Sequence, residues 1–272
     1  MPPLDHKHAI DLSNRLRGVE GFRPANDFIR QWASDAWNEL DSRQKIDVFC
    51  TVAENNRILG ADDSWSTHLR LLREGSRLED HRLWTWSALG LGRIAFRAER
   101  LDISFRLFLD VARGSIHHHD RKNLAWALRG LADCVIHSRH HDEVLSSSLL
   151  REATRLFIAE EHVHGELWAL QSWGDHWVRV GKPDQAQQCY RESFERFAGV
   201  DQRGHFHAGA MWSWVIKQGD RAGSGALKAA LRVAAEAESY FASSGVSPPP
   251  SILSRIRVPN GKESKRQVDA HQ

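Results

Sequence analysis

Sixteen histidines are the first feature of this chain that could do chemistry. Ten of them gather in four short stretches: SIHHHD (115–120), HSRHHD (137–142), EEHVHG (160–165) and GHFHAG (204–209). Imidazole beside carboxylate is ligand material for zinc, iron or manganese, so a helical metal-dependent enzyme is one reading. Spacing weakens it. His162 and His164, like His205 and His207, stand two residues apart, which on a helix turns their rings about 200° from each other. His117, His118 and His119 fall at a junction between units. Glu161-x-x-His164 has the spacing of a di-iron carboxylate bundle, but such a site takes two of these pairs plus further glutamates, and the chain supplies one. Asp133 and His137 share a helix face and could act as an acid–base or ligand pair, or form an ordinary surface hydrogen bond. No Ser or Cys stands in a nucleophile motif, and there is no glycine-rich phosphate loop. The sequence therefore names no catalytic residue and no cofactor.

The elements that carry these residues read as helices throughout. The eight prolines sit at 2, 3, 24, 183, 248, 249, 250 and 259, leaving one between 25 and 247. Pro183, after Gly181-Lys182, suits the first turn of a helix. Period-two alternation is not sustained, whereas IRQWASDAWNEL, WALRGLADCVI and YRESFERF show helical spacing. The chain is expected to be all-α. A repeat is also visible. Small residues Gly92, Ala132 and Gly174, with Trp212 in the same slot as a departure, recur at intervals of 40, 42 and 38, each followed by a turn. A weaker copy places Ala53 and Gly60 another 39 residues upstream. Each unit reads as two antiparallel helices, and such units stack into an α-solenoid. Residues 1–40 are expected to form N-terminal capping helices and 41–243 the repeat domain. Residues 244–272, rich in Pro, Ser and charge, are expected to lack a fixed fold.

The stretch LWALQSWGDHWVRVGKPDQAQQCYRESFERF (167–197) resembles a tetratricopeptide repeat. Leu170, Trp173, Gly174 and Trp177 fill the family's first-helix pattern, and Ala186, Tyr190 and Phe194 the second. The resemblance spans roughly 82–243 and is strong over 167–197. The repeats exceed the family's usual length of about 34 residues. With junctions such as GVDQRGHFHAGAMW, they are similar to the longer variety in sensor domains of bacterial signalling ATPases and transcription regulators. The ATPase and DNA-binding modules of those proteins have no counterpart here. The resemblance implies a right-handed superhelix that binds a protein or peptide in its concave groove, acting as an adaptor or regulator without being an enzyme.

On such a solenoid the first helices line the inside. Six residues before each anchor stand Trp86, Trp126, Trp168 and Phe206; five after stand Arg97, His137, Arg179 and Lys217; one after stand Arg93, Asp133, Asp175 and Ser213. An aromatic row would thus run beside a basic row. The aromatics could pack between repeats or line the groove, and the sequence leaves both open. Four basic residues in register suit a carboxylate-rich or phosphorylated ligand, so the partner is expected to present an acidic segment. Trp177 and Trp173 are expected in the core beside Gly174.

Composition bounds the rest. The formal net charge is +2 over 272 residues, which argues against nucleic-acid binding through bulk charge. Three scattered cysteines, Cys50, Cys134 and Cys189, suggest buried thiols in a reducing compartment. No apolar run approaches a signal peptide or a membrane span, so a cytoplasmic protein is expected. A homo-oligomer is compatible with the sequence.

Overall fold

The computed structural model describes residues 5–19, 21–218 and 224–246. Among these, twelve α-helices and no strand appear. They pair in order: α1 (His6–Val19) with α2 (Phe22–Ala36), α3 (Ser42–Leu59) with α4 (Ser64–Arg77), and α5 (His81–Arg97) with α6 (Leu101–His117). Then come α7 (Arg121–His137) with α8 (Glu143–Ala159), α9 (Val163–Arg179) with α10 (Pro183–Phe197), and α11 (Gln202–Gln218) with α12 (Ser224–Ser244). A short 3-10 turn, Trp37–Glu39, follows α2. Along the chain the helices pack neighbour on neighbour, and α3, α5, α7, α9 and α11 also touch one another in succession, which makes them the inner wall of an α-solenoid.

Caps set the register. Asp41, Asp80, Asp120 and Asp142 each accept a hydrogen bond from the backbone N–H three residues on, at 2.8, 3.0, 3.1 and 2.9 Å. His162 Nδ1 does the same for α9, accepting from Gly165 N–H at 2.8 Å. One member of the EEHVHG stretch is thus a helix cap. Asp201, before α11, accepts from Arg203 N–H at 2.9 Å. Twelve residues past Asp41, Asp80, Asp120, His162 and Asp201 stand Ala53, Gly92, Ala132, Gly174 and Ser213, all buried. The last anchor is therefore Ser213 and not Trp212, because the Ala198–Asp201 turn starts α11 one residue later than the 38-residue spacing implied. A Cβ on Gly174 would lie 2.5 Å from the Tyr190 ring of α10, so the glycine makes room for that ring. Trp173 and Trp177 stack at 5.7 Å and are half-buried, Trp177 against the cluster that contains Tyr190.

The coil closes on itself. Ile58 from α3, Met211 and Val215 from α11, Phe241 from α12 and Val246 share one apolar cluster. Ser244 lies against Gly21, and Gly245 against Arg23 and Leu59. Val246 is 3% exposed, so the packed chain runs past the boundary expected at 244. The rest of the expected tail, 247–272, lies outside the described residues, as do residues 219–223, where the turn expected after the last anchor falls. Burying a valine contributes about 1.5–3 kcal/mol. A chain ended at Ser244 should therefore melt at a lower temperature than one ended at Val246, and equal melting temperatures would show that the closing contact adds nothing.

Candidate ligand-binding cavity

Closure turns the inner face into a cavity of about 200 Å3 lined from α3, α5, α7, α9, α11 and the C-terminal end of α12. A ladder of guanidiniums and indoles runs along its wall. The Arg93 guanidinium lies 4.5 Å from the Trp126 ring centre, and Arg129 lies 5.7 Å from Trp126 and 5.4 Å from Trp168. Arg203 ends the ladder, 4.9 Å from Trp168. The order is α5, α7, α9, α11, so four of the five inner helices contribute to it. Cation–π contact of this kind holds a cation in place without neutralising it.

The tryptophans do two things at once. Trp126 meets Phe157 edge to face at 4.9 Å, and Trp168 meets Phe197 at 5.5 Å, so one part of each indole packs between repeats while another lines the cavity. Both sit six residues past a cap residue, Asp120 or His162. The same slot holds Trp86 after Asp80 and His207 after Asp201. Of the expected groove residues, Arg93, Arg97, Trp126, Asp133, His137, Trp168 and Asp175 line the cavity.

Trp86, Arg179, Phe206 and Lys217 do not line it. Trp86 stacks on His68 at 5.1 Å in a cluster with Ala53 and Leu71. Phe206 stacks on Tyr240 at 4.5 Å, one residue off the slot that His207 fills. Lys217 is displaced by the same one-residue shift. Arg179 is exposed and donates to the Ser138 carbonyl at 3.1 Å. Glu54, Arg57, Arg129, His164, Gln171, Arg203 and His207 line the cavity unforeseen. Arg129 was legible as the residue one turn after Trp126, but its slot holds leucine in α5 and glutamine in α9, so no recurrence marked it.

Electrostatically the cavity is lopsided. Glu54 holds Arg57 in a bidentate pair at 2.8 and 2.5 Å, and Arg129 pairs with Asp133 at 3.3 Å. Arg97 donates to the Arg57 carbonyl at 2.9 Å. Burial, and next the Arg57 charge, push Arg93 down to about 9 and Arg97 down to about 10. Arg203 is also lowered, first by burial, with Asp201 acting the other way. Burial alone would raise Glu54, yet Arg57 and Arg93 hold it well below the usual carboxylate range. Asp133 is raised, by burial first, against the pull of Arg129. Neither the Arg93 nor the Arg203 guanidinium has a hydrogen bond or ion pair among the described residues. Excess positive charge faces the empty space.

The histidines have other work. His164 Nε2 meets Asp201 at 3.0 Å, and His205 donates to the Phe194 carbonyl at 2.8 Å while stacking on that ring. His118 stacks on His81 at 3.8 Å. The Asp133 to His137 contact is a ring nitrogen on the Asp133 carbonyl oxygen at 2.9 Å, and no carboxylate–imidazole pair forms. Among the described residues no three His, Cys, Asp or Glu side chains converge to hold a metal ion. The thiols of Cys50 and Cys134 are pushed up to about 12, and Cys189 to about 11, by burial. His68, fully buried under Trp86, is pushed down to about 4 by burial and then by Arg57. The unfolded chain then holds the extra proton between pH 6.5 and about 4. Stability is full above 6.5 and falls as the pH drops toward about 4. Melting temperatures taken across that window should decline, and His68→Asn, which keeps a donor for the Ser64 carbonyl, should flatten part of the decline.

The fold and cavity define a class: an α-solenoid of tetratricopeptide-like helix pairs closed around a cationic, aromatic chamber. No family model matches the chain, and no curated protein matches it. Among solved structures it is similar to Rap protein complexed with Competence and Sporulation Factor, with a TM-score of 0.68 at 13% identity, covering 88% of this chain and 68% of that one. It is also similar to BtubC (BKLC) from P. vanneervenii, with a TM-score of 0.52 at 15% identity, covering 91% and 95%. At such identities the likeness is one of fold. No helix among the described residues is long and apolar enough to cross a membrane.

Proposed function

We propose that this chain is a non-enzymatic receptor for an acidic peptide or protein segment, which enters the cavity and neutralises its arginines. One observation carries the reading: the Arg93 and Arg203 guanidiniums each lie over a tryptophan with no hydrogen bond or ion pair among the described residues. Two desolvated, half-buried guanidiniums with no ion pair among the described residues cost stability, and a carboxylate ligand would repay that cost with paired hydrogen bonds. Phe241, Met211 and Ile58 give the same chamber apolar wall for a peptide side chain. The Rap protein structure, a neighbour in fold, holds a bound factor, which supports a binding role.

Trp126 and Trp168 are built-in reporters. Titrating the protein with an octaglutamate peptide should quench or shift tryptophan emission saturably, an octalysine peptide should not, and added salt should weaken the effect. If octaglutamate and octalysine behave alike, the cavity is not an acidic-segment site.

A further inference from the structure

The cavity has a second side, and its needs are opposite to those of the arginines. Asp133 and Gln171 face the chamber from the adjacent helices α7 and α9. The Oδ2 atom of Asp133 meets Arg129 at 3.3 Å and the Ser172 hydroxyl also bears on this carboxylate, while the buried Oδ1 makes no hydrogen bond of normal geometry among the described residues. Gln171 is 2% exposed, and its amide orientation is fixed because Nε2 donates to the Gly204 carbonyl at 3.0 Å. That leaves Gln171 Oε1 as a second buried acceptor without a donor among the described residues. Unpaired buried acceptors are uncommon and costly in native proteins. The guanidiniums that lack an ion pair among the described residues stand on other helices, Arg93 on α5 and Arg203 on α11, close enough to feel each other's charge and that of Arg57.

From this juxtaposition we infer that the ligand is dipolar: its acidic group lies between Arg93 and Arg203, and an ammonium or amide N–H of the same molecule is received by Asp133 and Gln171. The inference rests on the acidic-segment reading and narrows it to peptides that present a nitrogen donor beside the acid, such as an acidic residue at a free N-terminus. A purely anionic ligand would satisfy the arginines but bring negative charge toward Asp133 and leave both acceptors unpaired.

Three probes test it by tryptophan fluorescence titration: the Glu-Glu dipeptide, its desamino analogue glutaryl-glutamate, and inorganic phosphate. The dipeptide should bind about tenfold or more tighter than the desamino analogue, the size expected for one charge-assisted hydrogen bond, and phosphate more weakly than either. Asp133→Asn and, separately, Gln171→Met should lower dipeptide affinity while leaving the desamino analogue nearly unchanged, so the gap narrows. Circular dichroism checks that each variant is folded, and Gln171→Met keeps the test alive if Asp133→Asn is not. Equal affinity for dipeptide and analogue, or a gap that survives Gln171→Met, overturns the dipolar ligand while acidic binding stands. Failure of both dipeptide and octaglutamate to bind the wild type overturns both readings.

Discussion

Arg93→Met/Arg203→Met is expected to melt at a higher temperature than the wild type and to lose binding of an acidic peptide by a hundredfold or more. Both halves follow from one cause. Each guanidinium is desolvated, repelled by Arg57, and without a hydrogen bond or ion pair among the described residues. Replacing buried charge with apolar side chains of similar length is often neutral or stabilising by about 1–4 kcal/mol. Methionine can still cover the faces of Trp126 and Trp168, so the wall of the chamber is kept. Glu54 retains its bidentate partner Arg57 and is not stranded by the change. Binding moves the other way, since a buried charge pair that loses one partner gives up about 2–5 kcal/mol. Thermal melts and fluorescence titration of the same preparation read the two effects. A lower melting temperature with unchanged affinity would make these arginines structural and would remove the basis for the acidic ligand.

The second large effect is on stability, at Gly174. In an exposed helix interior, glycine to alanine stabilises by about 1 kcal/mol. Here the sign should invert. A Cβ would stand 2.5 Å from Cε1 and 2.6 Å from Cζ of Tyr190, which is fully buried and donates its hydroxyl to Asp175 at 2.6 Å. The ring has no room to yield without giving up that hydrogen bond. Gly174→Leu should cost about 1–3 kcal/mol or more by overpacking, and Gly174→Ala should already destabilise. Gly225 in α12 supplies the control, since nothing among the described residues lies within 4 Å of its Cβ position. Gly225→Ala should therefore raise the melting temperature slightly. If Gly174→Ala is as benign as Gly225→Ala, the α9–α10 contact is looser than the geometry described above.

The sequence by itself determined the architecture. Helical spacing, the near absence of proline between 25 and 247, and small residues about 40 apart specify antiparallel helix pairs stacked in line, because each pair must bury one stripe against the next. It also placed seven cavity residues, because a slot repeated in every unit points the same way along the inner wall. Where the frame slipped by one residue, at Phe206 and Lys217, the cause was local: Asp201 caps α11 and sets its start, and a turn length is not written in hydrophobic periodicity. The role of His162 as a cap was hidden for a similar reason, since imidazole replaces the usual aspartate there.

Only the tertiary structure decided what the cavity is. Arg57, Arg93 and Arg203 lie up to 146 positions apart in the chain, and they share one chamber because Phe241 and Val246 fold back on Ile58. No repeat period encodes that contact. Closure of the coil depends on small rotations accumulated from pair to pair and on a terminal segment outside the repeat, and both are properties of packing that no single unit carries. The same holds for which charges end up paired. Glu54 sits three residues from Arg57 and could be matched to it by helical spacing, but that Arg93 and Arg203 lack such a partner among the described residues follows only from how the inner helices face one another across the chamber.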